Sequence, residues 1–241
     1  RLSALLTLIT IAFSIMLLLG VEKVRTETRN SFANTLSGTD LVVGARSGQV
    51  QLLLYSVFRM GDATSNISWQ TFQKINNHRL VDWTIPISLG DSHRGYKVLG
   101  TNENYFKHYR YGNRRALEIS DGKEFSGLFD VVLGAEVAEK LNYKVGDRII
   151  VSHGMGDTSF ARHDDKPFTI SGILSRTGTP VDQTLHLSLE ALEAIHIDWK
   201  SGVRDKNSTV TVTDVEKMQL QPKQITAFLV GMKSKVATFQ L

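Results

Sequence analysis

Residues 131–152 read VVLGAEVAEKLNYKVGDRIIVS. Together with Phe129 and Asp130 the first residues make an apolar, β-favouring strand, FDVVL, which Gly134 turns into a short helix ending near Leu141. Val145-Gly146-Asp147 then forms a turn whose carboxylate is placed to accept backbone N–H bonds, and RIIVS follows as a second strand. Strand, helix, turn and strand within so short a stretch place the chain in the mixed α and β class.

Downstream, residues 168–195 read FTISGILSRTGTPVDQTLHLSLEALEAI. FTISGIL is a strand ending near Arg176, and Gly178 and Pro180 punctuate a loop. Residues 184–187 form a short strand, after which Ser188 caps the helix LEALEAIHI with Glu190 and Glu193 in its first turns. Upstream lie a buried strand at 40–44 and a helix at 49–59. Ser68 opens a helix with Trp69, Phe72 and Ile75 at helical spacing, and strands follow at 81–89 and 96–100. AFLVGM, residues 227–232, is the final strand, and Ser234 opens a further helix. The fold class read from these elements is α+β.

The other end of the chain belongs to a different solvent. Residues 2–20, LSALLTLITIAFSIMLLLG, are uncharged and would make a helix about 28 Å long, close to the ~30 Å hydrocarbon core of a bilayer. A signal peptide has a shorter apolar run and a small-residue cleavage site, whereas this run passes through Gly20-Val21-Glu22-Lys23 without one. A retained anchor is expected, with Arg1 on the cytoplasmic side. Ser3, Thr7, Thr10 and Ser14 share one helical face, suited either to packing against neighbouring spans or to bonding the helix's own preceding turn. The following VEKVRTETRNSFANTLSG has no proline and no glycine before Gly38, and extends the helix as a stalk with Val21, Val24, Thr28 and Phe32 near one stripe. The sequence begins with Arg and is read as a piece of a longer protein, with further spans beyond Leu241.

Composition bounds the rest. The 241 residues are 41% hydrophobic and 22% charged with 4 prolines, values of a folded chain. The absence of cysteine excludes disulfides and thiolate metal sites, and suits a periplasmic domain that does not rely on oxidation. The formal net charge is +4 with both signs interleaved, which is weak support for a polyanion partner.

The quoted stretches resemble the periplasmic core domain of ABC transporter permeases of the MacB, LolC/LolE and FtsX type. The resemblance rests on Leu133-Gly134, Leu141, Val145-Gly146-Asp147, Gly172-Ile173-Leu174 and Thr177-Gly178-Thr179-Pro180, and on a membrane helix running straight into a stalk. It implies a transmembrane helix at 1–21, a stalk helix at 22–36 and a periplasmic core domain at 37–241. Within the core it implies a porter-like α/β subdomain, 37–115 and 205–241, and an inserted, largely β subdomain, 116–204. It further implies location in the bacterial inner membrane, a second permease copy, membrane lipid and a cytoplasmic ABC ATPase whose ATP hydrolysis drives export, extraction or activation of a periplasmic protein partner. Gly134, Gly146, Asp147, Gly178 and Pro180 are expected to set domain geometry.

Motifs for chemistry are sparse. No G-x-x-x-x-G-K-[ST], G-x-S-x-G or H-E-x-x-H occurs, so ATP is expected to be handled by a partner and the chain is not read as an enzyme. His153, His163, Asp164, His186 and His196 offer imidazole and carboxylate for zinc, without the tight ligand spacing of a strong zinc motif. They support an alternative reading as an anchored sensor or metal-binding domain. NYFKHYRYGNRR, residues 104–115, interleaves aromatics with cations, a pattern that suits single-stranded nucleic acid. A periplasmic setting argues instead for no nucleic acid and for a half-buried edge, or a surface for protein or lipid headgroups.

Overall fold

The structure is a computed structural model that describes residues 2–61, 63–153, 166–197, 199–200, 203–204, 215, 218 and 220–240. Helix α1, Leu2–Thr35, runs unbroken for 34 residues. Its segment Leu2–Glu27 is long and apolar enough to cross a membrane, and none of its most apolar stretch is buried against the protein. The hydroxyls of Thr7 and Thr10 each donate to the carbonyl four residues earlier, Ser3 and Leu6, at 2.9 Å. These two side chains therefore satisfy themselves within the helix, the local alternative to bonding a neighbouring span.

The remainder is built on one mixed sheet of ten strands. Its main path runs Leu41–Gly44, Ala227–Met232, Val81–His93, Tyr96–Thr101, Thr184–Ser188, Asp130–Leu133, Phe168–Leu174 and Ile119–Gly122. The short strands Ser152–His153 and Arg148–Ile149 pair with Val81–His93 and Phe168–Leu174 respectively, so RIIVS divides between two partners. Most neighbours are antiparallel. The exceptions are Tyr96–Thr101 with Thr184–Ser188, and Asp130–Leu133 with Phe168–Leu174, which are parallel. Val81–His93 is longer than the apolar pattern suggests, because its pairing with Tyr96–Thr101 continues past an irregularity between Leu89 and Ser92.

The other helices, α2 (Gln49–Ser56), α3 (Trp69–Asn76), α4 (Asn104–His108), α5 (Ala135–Leu141) and α6 (Leu189–His196), cover the sheet. Ser68 and Ser188 cap α3 and α6 by accepting from Thr71 N and Ala191 N. Strand alternation then divides the core. Val131, Leu133, Leu185 and Leu187 join α5 and α6 in one cluster, while Ile85, Ile87, Leu99 and Val132 join the aromatics of α4 in another. A third cluster packs Phe72 of α3 against Phe228, edge to face at 5.2 Å. The stretch 104–115 is thus only partly the surface its cations suggest, because Tyr105, Phe106 and Tyr109 turn inward and are buried.

Candidate functional site

Helix α1 ends against the sheet domain, and that junction gathers the polar groups placed most deliberately. A helix leaves its last carbonyls without internal partners. Here the loop after α4 supplies them. The Tyr109 hydroxyl donates to the Thr35 carbonyl at 2.6 Å, and Gly112 N donates to the Asn34 carbonyl at 2.7 Å. The chain leaving the helix returns a bond from Ser37 N to the Arg110 carbonyl at 2.8 Å. Thr35 is 2% exposed and Tyr109 likewise 2%. Burial raises the Tyr109 pKa, with Tyr105 adding to the rise and Arg59 opposing it, so the phenol remains a donor.

Tyr109 stacks on Tyr105 with ring centres 4.9 Å apart. The Tyr105 hydroxyl lies 3.3 Å from His186 Nε2, and His186 Nδ1 lies 3.2 Å from the Val132 carbonyl. Because a carbonyl only accepts, Nδ1 carries the proton and Nε2 accepts from Tyr105. Burial first and the Arg59 charge second lower the His186 pKa to about 3, against a smaller opposing effect of the Val132 bond. Burial likewise raises Tyr105. A neutral, fully buried relay of Tyr109, Tyr105 and His186 therefore links the helix end to the central strands.

The other wall of the junction is the loop at 177–183. Asp182, 3% exposed, accepts from Thr177 N at 2.8 Å, Thr177 Oγ1 at 2.9 Å and Gly178 N at 2.7 Å. Gly178 adopts φ +71°, where a side chain would strain the backbone. Thr179 caps the turn Pro180–Gln183 by accepting from Val181 N. Gly134 backs this turn. Its φ of −68° is open to any residue, so sharp turning is not what demands glycine. A Cβ there would fall inside 3.0 Å of the Val181 and Asp182 carbonyl oxygens, so close approach does. Between loop and helix lies a groove of about 500 Å³, lined by Glu27, Asn30, Asn34 and Thr35 on one side and by Glu136, Arg176, Thr179 and Gln183 on the other.

Gly134, Gly178 and Pro180 thus meet at one place. Gly146 and Asp147 hold a separate turn, with Gly146 at φ +96°, its N–H on the Ile170 carbonyl and the Asp147 carboxylate accepting from Lys144 N at 2.8 Å. Sequence reasoning passed over Asp182 and Tyr109. Asp182 has a legible signal, a carboxylate just beyond a T-G-T-P loop, whereas nothing local marks Tyr109.

The metal candidates do not assemble among the described residues. The His153 side chain, His163 and Asp164 lie outside them. His186 spends both ring nitrogens on Val132 and Tyr105. His196 stands 3.5 Å from the buried carboxylate of Asp91. Burial lowers its pKa, but the bond and charge of Asp91 outweigh that and the net shift is upward. No three His, Asp or Glu side chains gather for an ion among the described residues.

The geometry is that of an apolar helix fixed to a mixed sheet domain. Among the solved structures that resemble this chain are two transporter domains. One is the periplasmic region of MacB from Actinobacillus actinomycetemcomitans, at 13% identity and TM-score 0.49, covering 88% of this chain and 82% of that one. The other is the extracellular domain of the ABC-type transporter YknZ from Gram-positive bacteria, at 12% identity and TM-score 0.44, covering 73% and 78%. No curated protein sequence matches. The family model described as the MacB-like periplasmic core domain matches residues 4–228, from inside the apolar helix to the last strand, and the chain belongs to that family.

Proposed function

We propose that this chain supplies the first membrane helix and the periplasmic domain of an ABC transporter permease, and that α1 passes movement from the membrane to the sheet. Membership of the MacB-like family supports the permease setting. The observation that carries the coupling role is the attachment of α1 through bonds at Asn34, Thr35 and Ser37. A helix tied there to a packed domain moves that domain with it, whereas a glycine-rich linker would absorb the motion. The porter-like segments 37–115 and 205–241 would take up the displacement, and the parallel pairing of Tyr96–Thr101 with Thr184–Ser188 would carry it into segment 116–204. ATP hydrolysis belongs in this reading to a cytoplasmic ATPase partner, with a second permease copy completing the assembly in the bacterial inner membrane.

The test is a distance measurement in the full permease with its ATPase in lipid nanodiscs, using spin labels on Asn30 and Gln183 and a second pair on Gln183 and Arg94. Addition of ATP with vanadate is expected to shift label pairs measured between the two permease copies while the Asn30–Gln183 distance within one copy stays fixed. A linker of four glycines inserted after Thr35 should abolish the shift. A within-copy distance that changes freely with nucleotide, or a shift that survives the linker, refutes rigid coupling.

A further inference from the structure

A second polar groove, of about 390 Å³, opens beside the foot of α1 between Gly38 and the exit of the last strand. Its lining is strongly one-signed. Among the described lining residues Arg110, Arg114, Lys233 and Lys235 contribute permanent positive charge, against one carboxylate, that of Asp40. Asp40 Oδ2 accepts from Met232 N at 2.8 Å, which fixes the carboxylate but keeps its charge, so the cations outnumber it. Two of the cations are oriented by neutral acceptors. Arg110 Nη1 donates to the Tyr109 carbonyl at 2.8 Å and Lys233 Nζ to the Arg79 carbonyl at 2.9 Å, which fixes the heads and leaves their charge uncancelled. Each retains further donors after that bond.

The groove's wall is also shaped. Trp83 and His108 stack with ring centres 5.1 Å apart and planes 15° from parallel. Burial first, then the charge of Arg110, lowers the His108 pKa, with Asp82 acting in the opposite direction. Arg114 stands at φ +59° in the tight hairpin joining Arg110–Tyr111 to Arg115–Ala116, a backbone state that a non-glycine residue adopts at some cost. Two planar guanidinium forks and two ammonium groups lining one open groove match the donor demand of a phosphate group, which guanidinium recognises bidentately.

We propose that this groove binds a phosphate-type anion, carried by a free solute or by the headgroup of a lipid lifted out of the bilayer. The length of the stalk argues against a lipid lying in the membrane plane. From Gly20 to the end of α1 is 15 residues, about 22 Å of helix rise, while the headgroup layer is only about 5–8 Å deep on each side. The site is independent of the coupling role, and its failure would leave that reading untouched.

The experiment uses the full chain in phosphatidylcholine nanodiscs at about 0.15 M salt, where exposed charges more than about 8 Å apart are screened. Binding of inorganic phosphate and of monomeric dihexanoyl phosphatidylglycerol is followed by ³¹P line broadening. Saturable binding of either probe is expected, weakened by about tenfold or more in Arg110→Gln/Arg114→Gln and unchanged in Arg94→Gln. A Lys233→Gln/Lys235→Gln form, altered outside the hairpin, should lose affinity in the same way with an unaltered melting temperature. Binding of phosphate alone identifies a free solute, and preference for phosphatidylglycerol identifies a lifted lipid. No saturable binding of either probe, equal binding by wild type and both variants, or capture of a polyglutamate peptide without phosphate binding overturns the proposal.

Discussion

Replacing Tyr109 by Phe removes one hydroxyl and leaves the ring stack on Tyr105 in place. The lost bond is short, 2.6 Å, and runs to a carbonyl in a residue only 2% exposed. An ordinary intramolecular hydrogen bond contributes about 1 kcal/mol net, but withdrawing a donor from a buried acceptor costs about 1–3 kcal/mol. Burial of both partners places this case in the upper part of that range, at about 2 kcal/mol. Thermal unfolding of the full chain in detergent should then shift down by about 4–8 °C, on the scaling for domains of 150–250 residues. The loss should also be local. Amide exchange at Ser37 and Gly112, whose N–H groups complete the clamp, should accelerate by about tenfold or more, while amides of the Asp130–Leu133 strand keep their relative protection. Tyr111→Phe, two residues away and half-buried, is the control and should shift stability by no more than about 0.5 kcal/mol. A Tyr109→Phe protein that melts with the wild type and exchanges normally at Ser37 and Gly112 would refute the clamp.

Gly134→Ala forces a methyl group against two backbone carbonyls that cannot swing away, so a loss of about 3 kcal/mol, the upper part of the usual overpacking range, is expected in chemical denaturation; a neutral result would show that the turn Pro180–Gln183 yields freely. Asp182→Asn keeps the shape but replaces one accepting oxygen with a donor aimed at N–H groups, which should cost about 2 kcal/mol and loosen Thr177 and Gly178 in amide exchange; unaltered exchange there would disprove the anchoring role. His186 and His196 should act in opposite senses on stability. The folded pKa of His186, about 3, lies below its unfolded value, so the unfolded chain takes up more protons and stability should fall as pH drops from about 6.5 toward 3, at up to about 1.4 kcal/mol per unit. His186→Gln should flatten that acid limb, and an unchanged limb would count against the neutral buried state. The folded pKa of His196 is raised, so its pairing with Asp91 is fully present below about 6.5 and is lost as pH climbs through the folded value. Asp91→Asn should remove this alkaline slope; persistence of the slope would mean that another group causes it.

Much of this architecture was legible because local chemistry and tertiary demand agree. FDVVL, FTISGIL and AFLVGM are strands in both the sequence and the structure, whereas the strand expected to be buried at 40–44 is half-buried, and Ser68 and Ser188 cap the helices their hydroxyls announce. The unbroken helix through the stalk follows from the absence of proline, and of any glycine between Gly20 and Gly38. Less legible were features created only by packing. The stretch 104–115 has one turn of α4, too short for periodicity to emerge, so its inward aromatics and outward cations looked simply mixed. Tyr109 acquires its role from a carbonyl 74 residues earlier, a separation no local pattern encodes. Gly134 was placed correctly and explained differently, because crowding by a distant turn, unlike backbone conformation, leaves no mark in neighbouring sequence.

The strand Ala227–Met232 lies inside the sheet, between Leu41–Gly44 and Val81–His93, and is buried along its whole length. Leu41–Gly44 and Val81–His93 therefore have no complete hydrogen-bonded frame until Ala227–Met232 has been synthesised. Until then the edge of Val81–His93 stays open and able to pair with other chains. Completing the sheet is thus a late, non-local step, and any delay before it lengthens the time for which this edge is exposed.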